Sequence, residues 1–186
     1  TVGWFTALFP VLLDLEGVAE PGEALKSVKE QLRAIPSRGV GFGLLRFLHE
    51  GEAGRCVRSL PQAEVVFNYL GQLDRAVSEG SLFRPAVESP GPTRDRLQPR
   101  GHALEILGGV QGGRLQVVWS YSRRRHERAT LEALAQRFVA ALRGLIDHCL
   151  APGAGGYTPS DFPLARIDQA ALDRLAAQGR IADLYP

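Results

Sequence analysis

This 186-residue chain contains no methionine, has lysine only at positions 26 and 29, and has cysteine only at 56 and 149. Without a methionine, residue 1 is not a retained translation start, which fits a trimmed or proteolytically released piece. The cysteines match no metal-ligand spacing. Cys149 falls on the apolar stripe of a helix, so the expectation is a small buried hydrophobe, with the cytoplasm as the default compartment. No apolar run approaches the ~20 residues of a membrane span, and no signal-peptide pattern opens the chain. The net charge of +2 is too small to argue for a nucleic-acid partner. The four histidines, His49, His102, His126 and His148, are unpaired in sequence and show neither a zinc nor a Ser-His-Asp pattern.

What remains is ordinary for a soluble globular domain, 45% apolar and 23% charged. The length suffices for one compact domain with a sizeable core. Val11–Glu16 reads as a strand. Pro21-Gly22-Glu23 opens a helix whose Leu25, Val28, Leu32 and Ile35 share one face, and Pro36 stops it. A Gly-rich link, Gly39 to Gly43, leads into a short helical stretch, Leu44 to Leu48. Glu64 to Leu70 is the next strand. Residues 75 to 101, rich in proline, form a long surface loop with one short strand near Leu82-Phe83.

Ala103–Val110 and Leu115–Ser122 are strands joined by Gln111-Gly112-Gly113-Arg114, which suits a tight hairpin. Leu115, Val117, Trp119 and Tyr121 share one face of the second. His126 to Leu150 is a helix, with Leu131, Leu134, Ala135, Phe138, Leu142, Leu145, Ile146 and Cys149 at helical spacing. Asp168 caps a last helix, Gln169 to Ala177. Strands and helices mix without strict alternation, which predicts an α/β, two-layer arrangement: a mixed sheet with helices on one side.

Three segments carry candidate chemistry. In Phe67-Asn68-Tyr69-Leu70-Gly71-Gln72, an amide and a phenol sit within an apolar strand. Successive side chains of a regular strand point to opposite faces, so Asn68 and Tyr69 share one cavity only where the strand bends, bulges or ends. Taken alone, Tyr69 reads as a core aromatic with a surface-seeking hydroxyl. Gly39-Val40-Gly41-Phe42-Gly43 has the wrong spacing for a dinucleotide fingerprint and follows a helix, so it reads as a tight loop. Arg123-Arg124-Arg125-His126 reads either as a solvated turn or as a docking patch for an acidic partner.

Taken in order, Thr1-Val2-Gly3-Trp4-Phe5-Thr6, Pro36-Ser37-Arg38-Gly39-Val40-Gly41-Phe42-Gly43 and Phe67–Gln72 resemble the last three signature motifs of epimerization domains of nonribosomal peptide synthetases, members of the condensation-domain superfamily. Tyr157 to Leu164 resembles the linker that closes such domains. Ile181 to Pro186 resembles the run into a following condensation domain. The Gly-Trp-Phe-Thr version of the first motif points to the epimerizing branch.

The resemblance implies a chloramphenicol-acetyltransferase-like fold, in which two halves enclose a tunnel. The family's His-His-x-x-x-Asp-Gly motif precedes this trio, and no His-His pair occurs here. The expectation is therefore a C-terminal lobe over residues 1–151 and a closing segment and linker over 152–186. By resemblance, Tyr69 and Asn68 belong to the catalytic wall, and Trp4, Gly41, Gly43 and Gly71 line the tunnel. The chain itself would bind no cofactor, because a partner peptidyl carrier domain supplies the 4′-phosphopantetheine arm. Further partners would be the missing N-terminal lobe and a following condensation domain, with no nucleic acid and no membrane. The rival readings are a lobe of a peptide-bond-forming condensation domain and a degenerate domain that binds partners.

Overall fold

In a computed structural model, residues 6–73, 88, 91, 95 and 98–181 are described. They fall into two compact units: the described residues of Thr1–Leu60 with Val139–Pro186, and those of Pro61–Phe138.

The second unit holds the sheet. Strands β1 (Val65–Gln72), β2 (Leu104–Gln111) and β3 (Arg114–Tyr121) lie in the order β1-β2-β3. β1 runs parallel to β2, and β2 antiparallel to β3, so the sheet is mixed as expected. Gly112 and Gly113, at φ 60° and 67°, close the β2–β3 hairpin. Two successive positive φ values are what a two-residue turn of matching twist requires. The first turns of helix α4 (Arg128–Leu150) complete the unit. Leu131 is buried, and Phe138 meets the Trp119 ring edge-on with centroids 5.8 Å apart. The helix starts at Arg128 rather than at the expected His126, because the Ser122 carbonyl accepts from the N–H groups of Arg125 and His126 and makes a separate turn first.

The first unit is helical. It contains α1 (Pro21–Arg33), a 3₁₀ turn (Pro36–Gly39), α2 (Val40–Phe47), α3 (Glu52–Ser59), the last turns of α4, a second 3₁₀ turn (Pro159–Asp161) and α5 (Gln169–Ala177). Thr158, Phe162 and Leu172 are its buried side chains among the described residues. α5 has the predicted bounds, and the Asp168 carboxylate accepts from Ala171 N at 2.7 Å as its cap. α3 has no counterpart among the expected elements. Its Gly54 passes so close to α2 that a Cβ there would lie 1.9 Å from the His49 carbonyl oxygen. From α3, the Arg58 guanidinium donates to the carbonyls of Arg46 and His49, satisfying the end of α2.

Several expectations are corrected. Val11–Glu16 is not a strand: among the described residues no strand pairs with it, and Leu12 is 92% exposed. The Asp14 backbone instead exchanges two hydrogen bonds with the Gln31 side chain of α1, at 2.8 and 2.7 Å. Ile35 lies beyond α1, which ends at Arg33. Gly41 and Gly43 lie within helix α2, so the tight-loop reading holds for Gly39 alone. Gly39 has φ +79°, and a Cβ there would sit 2.0 Å from the Phe9 ring.

Cys149 is exposed. The half-buried line of α4 runs through Ala135, Phe138, Leu142, Leu145 and His148, one residue short of it, and His148 packs where a Cβ on Gly22 would be 2.7 Å away. The expected strand at Leu82-Phe83 lies outside the described residues.

The closing segment is packed rather than free. The Asp161 carboxylate accepts from Lys29 and Arg33 of α1 and, at 3.0 Å, from the Thr158 N–H. Ser160 donates to Glu30. Burial pushes the Asp161 carboxyl upward, but the hydrogen bonds from Lys29, Thr158 N and Arg33 outweigh it. They hold the group well below the usual carboxylate range. At Glu30, burial likewise pushes upward, and the hydrogen bonds from Ser160 and Thr158 outweigh it and lower the group.

A carboxyl held lower in the folded chain than its unfolded value of about 3.9 contributes stability that is complete above that pH and lost as pH falls through the folded value. Asp161→Asn is therefore expected to cost about 1.5–3 kcal/mol at pH 7 by urea denaturation. The gap to wild type should shrink steadily below pH 4.

Ser37 and Arg38 hold φ of 47° and 54° immediately before Gly39. A left-handed run costs L-residues roughly 1–2 kcal/mol each. Arg38→Gly should thus raise the unfolding free energy by about 1 kcal/mol, whereas Gly39→Ala should lower it by more than that.

Candidate functional site

The register of β1 on β2 fixes the faces of the motif strand. Phe67 pairs with Ile106, Asn68 with Leu107 and Tyr69 with Gly108. Across the hairpin, Ile106 pairs with Trp119 and Gly108 with Val117. Val65, Phe67 and Tyr69 therefore share the face that Phe138 of α4 covers at Trp119. The cover does not reach β1, where Val65, Phe67 and Tyr69 remain 51%, 57% and 53% exposed. They form an open apolar shelf with one phenol. The Tyr69 ring lies over Gly108, where a Cβ would meet its Cδ2 at 3.3 Å. Glycine at 108 is what lets the ring lie down on the sheet.

A bulge does interrupt the motif strand, but after Tyr69. Pairing passes from Tyr69↔Gly108 to Gln72↔Val110, so Leu70 and Gly71 together face Gly109. Gly71 supplies the required φ of +73°. Asn68 and Tyr69 stay in regular register and on opposite faces. Asn68 is exposed and shares its face with Leu107 and Val118.

The remaining sequence candidates are divided. Gly41 and Gly43 belong to the helical unit, and nothing lies within 4 Å of a Cβ built on either. Gly71 belongs to the sheet unit and adjoins Tyr69 through the bulge. Trp4 lies outside the described residues. Arg123, Arg124 and Arg125 are exposed turn residues, and His126 has a buried Nε2 with no hydrogen-bond partner among the described residues.

Sequence reasoning missed one cluster. Glu105 of β2 and Ser120 of β3 are cross-strand partners on the Asn68 face. Arg100 lies across them, donating to Ser120 Oγ at 3.0 Å, with a nitrogen 4.0 Å from Glu105 Oε2. The pairing that unites them joins residues 15 apart across a hairpin, and no local motif announces it. Among the described residues, no three His, Cys, Asp or Glu gather in a way that could hold a metal ion. No helix there is long and apolar enough to cross a membrane.

Comparison with known proteins places this geometry. The Condensation domain family model matches residues 1–164. A linear gramicidin synthase of Brevibacillus parabrevis is similar through more than one of its subunits. One of them is 48% identical over 188 residues, spanning 100% of this chain and 2% of that protein. Another is 42% identical over 186 residues, 100% of this chain and 4% of that protein. The crystal structure of the epimerization domain from the third module of tyrocidine synthetase B superposes with a TM-score of 0.69 at 33% identity, over 81% of this chain and 33% of that one. The chain belongs to the condensation-domain family of nonribosomal peptide synthetases, and its fold is the chloramphenicol-acetyltransferase-like α/β arrangement of that group. It spans a few per cent of the length of these synthase proteins and about a third of the solved domain.

The glycines of the motifs differ in what they do, which gives a direct test. Gly71→Ala should destabilise the chain by about 1–2 kcal/mol, because alanine resists a positive φ. Gly41→Ala should stabilise it by roughly 0.5–1 kcal/mol, as alanine replaces glycine in an unobstructed helix. Chemical denaturation of the two variants separates these outcomes.

Proposed function

We propose that this chain is the C-terminal lobe of a synthetase epimerization domain. The intact domain inverts the α-carbon of an L-aminoacyl or peptidyl thioester carried on the phosphopantetheine arm of a peptidyl carrier domain. The observation that carries the reading is the likeness to a solved epimerization domain, at 33% identity over 81% of this chain and only 33% of that one. The Gly3-Trp4-Phe5-Thr6 motif supports the same branch.

An α-proton beside a thioester is weakly acidic, so its removal needs a placed base and a stabilised enolate. Positioned proton transfer contributes roughly 10²- to 10⁴-fold. A preorganised donor at the developing oxyanion contributes roughly 10²- to 10³-fold. In this reading Tyr69 is that donor or an orienting group on the rear wall, with Asn68 in support. The family's histidine and glutamate, which would exchange the proton, lie outside this sequence, the glutamate in a motif directly upstream of Thr1. The open shelf of Val65, Phe67 and Tyr69 suits a wall that a second lobe covers. A peptide-bond-forming condensation domain is the second reading, favoured by the family model itself.

The test uses the intact domain, a carrier-bound L-aminoacyl thioester and chiral chromatography of the released amino acid. The intact domain should yield D-product, and the 186-residue chain alone should yield none above background. Tyr69→Phe in the intact domain should lower turnover by about 10²-fold with the fold unchanged. Peptide-bond formation with an acceptor, without D-product, would establish the condensation reading instead. D-product from the chain alone would overturn the lobe assignment.

A further inference from the structure

The bulge in β1 decides which way Gln72 points. β2 pairs with β3 without irregularity from Leu104 to Gln111, so Gly108 and Val110 lie on one face of the sheet and Gly109 on the other. In unbroken pairing with β1, Gly71 would stand opposite Val110 and Gln72 opposite Gln111, on the face of Asn68. The extra residue puts Gln72 opposite Val110 instead. Paired residues of a ladder project to the same side, so Gln72 joins Val65, Phe67 and Tyr69 on the shelf. The leucines on either side agree. A Cβ on Gly109 would meet Leu73 Cδ1 at 3.4 Å and Leu70 Cβ at 3.7 Å, so two residues three apart share the opposite face. A regular strand keeps residues of odd separation on different sides.

Among the described residues, neither the Tyr69 hydroxyl nor the Gln72 carboxamide has a hydrogen-bond partner. Gln72 is exposed and Tyr69 half-exposed, so both groups are free to bind. Two rungs of the ladder separate them, roughly 6.6 Å along the strand, a span within reach of an aromatic and a long amide side chain. An unpartnered phenol turns about its C–O bond, and its proton has no fixed direction. A carboxamide carries two N–H donors, and a phenol oxygen can accept from one of them.

We propose that Gln72 is a positioning residue for Tyr69: its side-chain N–H donates to the phenol oxygen and turns the hydroxyl proton toward the ligand. The inference rests on the reading of Tyr69 as a donor to the developing oxyanion. It gives a role to a residue that the motif resemblance leaves without one, and it accounts for a bulge inside the motif. The phenol then accepts and donates at once, and successive hydrogen bonds polarise one another. A donor already aimed costs no reorientation when the charge develops. Asn68 lies on the far side of the sheet from that hydroxyl, on the face of Leu107 and Val118.

The experiment is a double-mutant cycle in the intact domain, with a carrier-bound L-aminoacyl thioester as substrate. Gln72→Leu should lower kcat for D-product roughly tenfold, about the loss of one hydrogen bond, and leave KM unchanged. In a Tyr69→Phe background the same substitution should cost nothing further, because the hydroxyl it orients is gone. A merely structural role would lower both backgrounds alike. Gln72→Met, of nearly the same length, repeats the cycle should Gln72→Leu perturb folding by circular dichroism. The 186-residue chain gives a second readout, a nuclear Overhauser contact between the Gln72 side-chain NH₂ and the Tyr69 ring protons. Wild-type kcat in the folded Gln72 variant, equal losses in the two backgrounds, or the lack of that contact overturns the proposal while the reading of Tyr69 stands. Unchanged turnover in Tyr69→Phe overturns that reading, and the proposal with it.

Discussion

The parallel pairing of β1 with β2 is the constraint on which both functional readings depend. A shift by one residue would carry every side chain of β1 to the other face. With Tyr69 opposite Gly108, the phenol lies on the side of α4, and Asn68 lies on the side of Glu105. Gly108 gives the Tyr69 ring room in this register. A side chain at 108 would press on the Tyr69 ring at 3.3 Å, and one at 109 would meet Leu70 Cβ at 3.7 Å. Glycine normally weakens a strand. At position 108 it makes room for the Tyr69 ring.

The helical unit is organised around charge rather than apolar bulk. Among its described residues, few apolar side chains are fully buried, and the α1 side of the closing segment is held by Lys29, Arg33 and Glu30 acting on Ser160 and Asp161. A part-buried carboxylate bonded by two cations and a backbone N–H gains charge-assisted hydrogen bonds, which are about twice as strong as neutral ones. Thr158, fully enclosed, sits in the same turn and donates to Asp161 as well, at 3.3 Å. Both lysines of the chain line the same stretch of α1, one reaching Asp161 and the other Glu23.

Much of the architecture is legible in the sequence because local signals and tertiary packing agree. The Asp168 cap and the following helix, the Gly112-Gly113 hairpin and the long α4 each combine a periodic apolar pattern with the turn chemistry its ends require. Disagreement arises where pairing or cover decides. Val11–Glu16 has the composition of a strand, but a strand exists only beside another, and the Gln31 side chain takes up its Asp14 backbone groups. Gly41 and Gly43 have the composition of loop formers, yet both lie within helix α2, beside its half-buried Phe42 and Leu45. α3 leaves little periodic signal, being eight residues long, and depends on the close passage of Gly54. At the site, motif resemblance singles out Asn68 and Tyr69, but only the register shows that they face apart. The cluster of Arg100, Glu105 and Ser120 exists through cross-strand pairing, which no linear pattern encodes.

The shelf on β1 bears on the epimerization reading proposed above. Val65, Phe67 and Tyr69 are each about half exposed along one face of a strand that is at the sheet edge among the described residues. An apolar face of this kind is ordinarily covered by a partner surface. Abstraction of a proton beside a thioester carbonyl demands a water-poor setting, where a single hydroxyl dipole acts at low dielectric and an enolate is protected from stray protonation. An open shelf meets neither requirement, and a covered one meets both. The same aliphatic and aromatic surface that is poorly suited to water would, once opposed by a second wall, lower the dielectric around the Tyr69 hydroxyl. In the proposed epimerization reading, exposure of the shelf and a role for Tyr69 would follow from one geometry: a β1 face that stays about half exposed, with the phenol on it.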